Sequence, residues 1–209
     1  MASGPRVVVI GAGVAGLSTA MHSARLGARS VTILERTELA AGSSALSAGI
    51  FNQQTSDPHD QVMRAASIRV LEDLESRGLL HLHRCGYLRL ARSAEQWELA
   101  QETFEQLTDP SSRLVSRAEV SELVPGMRVD DVEGAMYGPR DGHMDGTQLC
   151  QAYLAVAREH GATLRRSVEV TGMSRRRSER VVHTTDWDVT ADVVVNAAGG
   201  WLDRVGRLL

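Results

Sequence analysis

Three glycines and one acid carry the most chemical information in this sequence. Gly11, Gly13 and Gly16 stand at G-x-G-x-x-G spacing behind the apolar run Val7-Val8-Val9-Ile10, and Glu35 closes a second apolar run, Val31-Thr32-Ile33-Leu34. After a strand, the first such glycine permits a tight turn. The second lets a pyrophosphate reach the backbone without meeting a Cβ, and the third lets the following helix close onto the strand. The first helical turn, at Val14 and Ala15, then offers free N–H groups and partial positive charge to the phosphates. An acid placed like Glu35 takes ribose hydroxyls and disfavours a 2′-phosphate. The chemistry is dinucleotide binding, and this unit alone leaves NAD and FAD both open.

Two further stretches are positioned to complete such a site. The segment Gly42 to Gly49 is small and hydroxyl-rich, with Ser43, Ser44, Ser47, Ala48 and Gly49 where a plain α/β domain would resume larger residues. It leaves room for phosphates and a ring and supplies hydroxyls expected to donate hydrogen bonds. Late in the chain, Asp192-Val193-Val194-Val195-Asn196 reads as a buried strand running into Ala197, Ala198, Gly199, Gly200 and Trp201. Small residues at the carboxyl end of a strand lie where doubly wound sheets bind ligands. Between the two motifs the sequence shows an insert and a small meander rather than a further βα series, which favours FAD over NAD.

The elements that must position these residues follow from periodicity and punctuation. A helix is predicted from Val14 to Leu26, with Leu17, Ala20, Met21 and Ala24 on one face and Gly27 as its stop. Asp57-Pro58 opens a helix to about Arg77, with Val62, Ile68, Leu71 and Leu74 apolar, Gly78 as its stop and His59 solvated on its first turn. Tyr87 to Leu90 reads as a strand. Ser93 with Gln96 and Ser116 with Glu119 read as capping boxes, the first opening a helix that carries Trp97, Leu99, Phe104 and Leu107. Val132 to Tyr137 is a further strand. Asp145 caps a helix from Thr147 to His160, leaving His143 in a turn, and Val181 to Thr185 and Trp187 to Val189 form arms of an antiparallel meander.

Composition removes other classes. The chain has 209 residues, 43% hydrophobic content and a formal net charge of −3, with no reason to expect nucleic acid or an anionic membrane as partner. No stretch is long and apolar enough to span a bilayer. Cys85 and Cys150 stand alone without metal or redox spacing, which suits a reduced, cytoplasmic setting. His81 and His83 lack a third metal ligand nearby, and Arg175-Arg176-Arg177 reads as a solvated turn.

The amino-terminal βαβ unit, the Leu34-Glu35-Arg36 ending and the Gly-Ser-Ser segment together resemble the D-amino-acid-oxidase superfamily of flavoproteins, with sarcosine oxidase, dimethylglycine dehydrogenase and glycine oxidase as relatives. The resemblance covers essentially the whole chain. The segment Ser44 to Gly49 followed by Gln53-Gln54 is also similar to FAD-dependent oxidoreductase-domain proteins linked to respiratory complex assembly.

The resemblance implies an α/β fold: a Rossmann-like FAD-binding domain with a central parallel sheet and small β-meander, carrying part of an inserted α+β substrate domain. It implies FAD-domain segments at residues 1–81 and 143–209 around a substrate-domain portion at 82–142. Thr163-Leu164 would join the sheet, and Val168-Glu169-Val170 would bring backbone near the adenine, with Val170 the best match for that contact. Gly11, Gly13, Val14, Ala15, Gly16, Glu35, Arg36, Ser43, Ser44, Ser47, Ala48, Gly49, Val170, Ala197, Ala198, Gly199 and Trp201 would contact the cofactor. Leu46 matches the position where some relatives carry flavin on a histidine, so FAD is expected to be non-covalent. The implied reaction oxidises a secondary amine or amino acid by hydride transfer to flavin, and no catalytic residue is assigned. A non-catalytic FAD-binding assembly protein and an NAD-dependent dehydrogenase are the alternatives. Relatives continue past Leu209, so a truncated form, or a partner subunit supplying the remainder, is expected.

Overall fold

A computed structural model describes residues 4–176 and 179–208. The chain divides into two compact units, Met1–Ala48 with Asp145–Leu209, and Gly49–Met144. The first unit opens with β1 (Arg6–Ile10), α1 (Val14–Arg25) and β2 (Ser30–Leu34), the βαβ unit that the glycine spacing predicts. Gly27, at φ +86°, ends α1 in the left-handed region.

The second unit contains β3 (Ile50–Phe51), α2 (Pro58–Ser76), β4 (Tyr87–Ala91), α3 (Ala94–Glu105), β5 (Arg113–Ser116), α4 (Arg117–Leu123), β6 (Gly134–Gly138) and β7 (Gly142–His143). Its sheet is antiparallel in the order β4-β6-β5, and β3 pairs with β7. The Met144 N–H donates to the Gly49 carbonyl, so outgoing and returning chain are zipped together inside this unit. The chain therefore leaves the first unit after Ala48, earlier than the boundary at residue 81 expected from the sequence, and α2 belongs to the second unit.

Asp57 caps α2 through the Asp60 N–H, and Leu71 and Leu74 are its buried apolar residues, whereas Val62 is exposed. Ser116 and Glu119 form the reciprocal capping box of α4. Ser93 caps α3 by accepting from the Gln96 N–H, but the Gln96 side chain accepts from Arg92, so this cap is not reciprocal. Leu99 on α3 faces solvent.

Returning to the first unit, the chain forms α5 (Gly146–Glu159), β8 (Thr163–Arg165), β9 (Val170–Arg176), β10 (Glu179–Thr184), β11 (Asp188–Ala191), β12 (Val193–Asn196), a 3-10 turn at Gly199–Trp201 and α6 (Leu202–Gly206). The central sheet is wholly parallel, in the order β12-β1-β2-β8, with Ile10 opposite both Asn196 and Leu34. The strands alternate. Val7, Val9, Val31 and Ile33 are buried, as are Leu17, Ala20, Met21 and Ala24 of α1 and Tyr153, Val156 and Ala157 of α5. Val8, Ile10 and Leu34 join Val168, Val170, Val182 and Ala191 in one core with the three-stranded meander β11-β10-β9.

Arg6 pins a sheet end to the meander by pairing with Asp192 and Glu179, both at 2.7 Å, and the Arg6 contact holds the Asp192 carboxyl down at about 2. Arg175 and Arg176 end strand β9 instead of forming a turn, and Arg177 lies outside the described residues.

Candidate functional site

The glycine turn sits between the carboxyl ends of three parallel strands. Gly11 has φ +107°, and a Cβ there would lie 2.5 Å from the Ala197 carbonyl oxygen, so both conformation and the approach of the β12 end demand glycine. A Cβ on Gly16 would collide with the Gly11 carbonyl oxygen, which makes this glycine the point where α1 closes on β1. Gly13 differs from both. Its φ of −83° suits any residue, and a Cβ there would meet only the Ser44 Oγ, at 3.1 Å. The protein's own packing hardly explains a glycine at 13, whereas a ligand lying against the backbone does.

Glu35 locks the turn. One carboxylate oxygen accepts from the Ala12 N–H at 2.8 Å, and the other accepts from the Thr37 N–H at 2.8 Å and from its hydroxyl at 3.1 Å. Each oxygen has two acceptor sites, so a ribose hydroxyl can still be received. Ala40, buried and held at φ +59°, donates its N–H to the Ala12 carbonyl and ties the following loop to the same turn. Strain of this kind in a non-glycine residue clusters at functional sites. In that loop the Ser44 Oγ accepts from the Val14 N–H at 3.0 Å. The sequence led us to expect a donating hydroxyl, but toward α1 it is an acceptor, because the first N–H groups of a helix have no internal partner.

These parts enclose a cleft of about 400 Å³ in the first unit. Of the residues singled out in the sequence, Gly11, Gly13, Glu35, Arg36, Ser43, Ser44, Val170, Ala197, Ala198, Gly199 and Trp201 line it. Val14, Ala15 and Gly16 form the helix turn behind Gly13 and are not among the lining residues; nor are Ser47, Ala48 and Gly49, and Gly49 falls in the second unit. The cleft adds residues the sequence did not single out: Ile10, Leu34, Thr37, Val168, Val205 and Leu208 among them. Val205 and Leu208 come from α6 and the residues just beyond it, where nothing local in the sequence marks them. The Arg36 guanidinium lies 4.8 Å over the ring of Trp201, a cation–π contact that fixes both side chains at the cleft wall. Leu46 is 85% exposed.

The residues fit a dinucleotide. The α1 terminus carries no acid in its first turn and no side-chain cap from Gly13, so its positive end is not neutralised by the helix itself. The Gly13 backbone is bare toward the cleft, and much of the remaining wall is apolar. Among the described residues no group of three or more His, Cys, Asp or Glu is arranged to hold a metal.

Fold and cleft together define a flavoprotein-type dinucleotide-binding unit. The family described as FAD dependent oxidoreductase (DAO) matches residues 6–209, and the chain belongs to it. Dimethylglycine dehydrogenase from Rattus norvegicus mitochondria is 31% identical over 207 residues, covering 97% of this chain and 24% of that protein. Mitochondrial sarcosine dehydrogenase of Mus musculus is 32% identical, with 97% of this chain and 23% of that protein covered. Among solved structures, L-proline dehydrogenase from P. horikoshii superimposes with a TM-score of 0.89 at 25% identity, over 100% of this chain and 56% of that one. The chain thus spans about a quarter of the length of these two dehydrogenases. No helix among the described residues is long and apolar enough to cross a membrane.

Proposed function

We propose that this chain is the FAD-holding part of an oxidoreductase that removes two electrons from a secondary amine or an amino acid. The observation that carries the reading is Gly13, a glycine that the protein's own packing hardly explains, set at the amino end of α1, whose first turn carries no acid, in a cleft lined by Glu35 and by the small residues closing β12. Ser43, Ser44 and the α1 terminus hold the pyrophosphate, Glu35 receives the adenosine ribose, and Val170 approaches the adenine. When bound, FAD supplies the oxidising capacity. The chain's own residues bind it, orient it and exclude water along the apolar wall. Leu46 has no nucleophile to offer, so the cofactor is held without a covalent bond through this segment.

The substrate class rests on the family and on relatives whose names specify dimethylglycine, sarcosine and proline. The first unit, residues 1–48 and 145–209, is the FAD-binding domain in this reading, and the second is part of the substrate domain, completed by a partner subunit or by further chain of the kind the longer relatives possess.

The test is anaerobic addition of sarcosine, dimethylglycine, glycine and proline to the FAD-loaded protein. Bleaching of the flavin spectrum by one of them is the expected result. A bound flavin that none of them reduces would replace this reading with that of a non-catalytic FAD-binding assembly protein.

A further inference from the structure

The outer face of the meander carries three polar side chains that belong neither to the cleft nor to the core. Val182 of β10 is fully buried in the core shared with the parallel sheet, so the next residue, His183, projects from the opposite face. Strand pairing sets Asp188 of β11 directly across from His183 on one side and Gly172 of β9 on the other. Gly172 has no side chain to obstruct the imidazole, whose Cδ2 lies 3.9 Å from where a Cβ would stand. The ring therefore reaches Ser174, the next residue of β9 on that face. The Asp188 carboxylate meets Nδ1 at 2.8 Å, and the Ser174 hydroxyl meets Nε2 at 2.8 Å. A carboxylate can only accept, so Nδ1 carries the proton, and the Nε2 lone pair of the neutral ring receives the Ser174 O–H. Ser174 and Asp188 are exposed, and none of the three residues lines the cleft at the glycine turn.

We propose that Ser174, His183 and Asp188 form a second reactive site, in which Ser174 is a nucleophile that accepts an acyl group from small activated carboxylic esters. A nucleophile bonded to a base that a third group orients is the arrangement that activates a serine hydroxyl. Ser174 Oγ bonds to the ester carbonyl carbon as its proton passes to His183 Nε2. The bond from that carbon to the leaving oxygen then breaks, and the leaving oxygen takes the proton from Nε2. The acyl group stays on Ser174 until water, giving a proton to the same nitrogen, hydrolyses it to the free acid. Ser174 and His183 touch the reacting atoms, whereas Asp188 is a positioning residue that holds the tautomer. On this open face water solvates the developing oxyanion. That gives up the roughly 10²–10³ in rate that a fixed oxyanion donor contributes, which restricts the site to activated acyl donors.

The experiment treats the full chain with p-nitrophenyl acetate and quantifies acetyl groups by peptide mass mapping over time. The chain contains no lysine, so no lysine amine competes for the reagent. Ser67 and Ser76, exposed hydroxyls that donate to helix carbonyls, serve as internal references. Ser174 should acquire acetyl about 100-fold faster than either, the lower end of general-base assistance. His183→Gln should bring Ser174 down to the reference level. Asp188→Asn should slow it roughly tenfold or more by releasing the tautomer, and Asp188→Glu should restore part of that loss. Acetylation of Ser174 no faster than that of Ser67 and Ser76 in the wild-type chain would overturn the inference and leave the three side chains a structural tie across the meander. This comparison needs no variant to fold. Ser174 acetylation unchanged in His183→Gln would overturn it as well, because the hydroxyl would then react without its base.

Discussion

Gly13 and Gly16 are three residues apart and both belong to the glycine turn, yet the structure assigns them different work, and replacing each by alanine separates the two. At Gly13 the backbone is ordinary and the new methyl meets only the Ser44 Oγ at 3.1 Å. Restricting the unfolded chain contributes roughly 0.4–1 kcal/mol of stability, and displacing Ser44 from the Val14 N–H costs about 1 kcal/mol. The two nearly offset, so Gly13→Ala should melt within about 4 °C of the parent. Its FAD affinity should nevertheless fall by roughly 5- to 150-fold, because a methyl pushed against a ligand costs about as much as overpacking, on the order of 1–3 kcal/mol. At Gly16 the methyl runs into the Gly11 carbonyl, which cannot yield without opening the contact between α1 and β1. Gly16→Ala should therefore lose roughly 1–3 kcal/mol or more and melt about 2–12 °C lower with no ligand present. Differential scanning fluorimetry and a flavin fluorescence titration read both quantities. Wild-type FAD affinity in Gly13→Ala, or melting of Gly13→Ala as low as that of Gly16→Ala, would refute the reasoning.

Three other outcomes follow from the same structure. Glu35→Ala should weaken FAD by roughly 1.5–3 kcal/mol, the worth of a hydrogen bond to a charged group, and should also lower the melting temperature, since the Ala12 and Thr37 N–H groups lose their acceptor; an effect on affinity alone would show that the carboxylate does not hold the turn. Asp141 is buried, and desolvation pushes its carboxyl up to about 6 despite hydrogen bonds from the Gln53 N–H and the Gln54 side chain. The folded protein therefore holds this proton more tightly than the unfolded chain, and stability should decline as pH rises from about 4 through 6, by up to about 3 kcal/mol. Melting curves across that range should flatten in Asp141→Asn, and an identical slope in parent and variant would exclude Asp141 as the source. Asp192 works in the opposite sense: with its carboxyl held at about 2 by Arg6, the stabilisation is present above the ordinary carboxylate range and is lost as pH falls through 2, and Arg6→Ala should remove that acid dependence.

Much of the cradle was legible because its requirements are local. A glycine at φ +107° beside a strand end, a capping aspartate three residues before the N–H it receives, and a left-handed stop at Gly27 are each decided within a few residues. The strands β3 and β7 were not legible because two residues form a strand only when a distant partner pairs with them. Strand β5 was hidden by the capping box into which it runs, since Ser116 is both its last residue and the cap of α4. Val62 and Leu99 have the spacing of core residues but lie on faces with too little packed against them. In the cleft, the residues supplied by β1, β2 and the end of β12 could be read from their motifs. Val205 and Leu208 could not, because only the tertiary fold brings them to the cleft. Ser47 and Ala48 share the composition of Ser43 and Ser44 yet do not line the cleft, so small residues marked the loop without marking which part of it faces the ligand.

The claim on which the account depends is that the first unit's cleft holds FAD, and it is tested most directly by reconstituting the purified chain with FAD, removing free flavin, and measuring the visible spectrum, the stoichiometry and the chromatographic identity of the released cofactor. One FAD per chain, released intact on denaturation and lost in Gly13→Ala under the same conditions, is the predicted result. A folded protein that stays colourless after reconstitution, or one that holds FAD equally well with alanine at position 13, would contradict it.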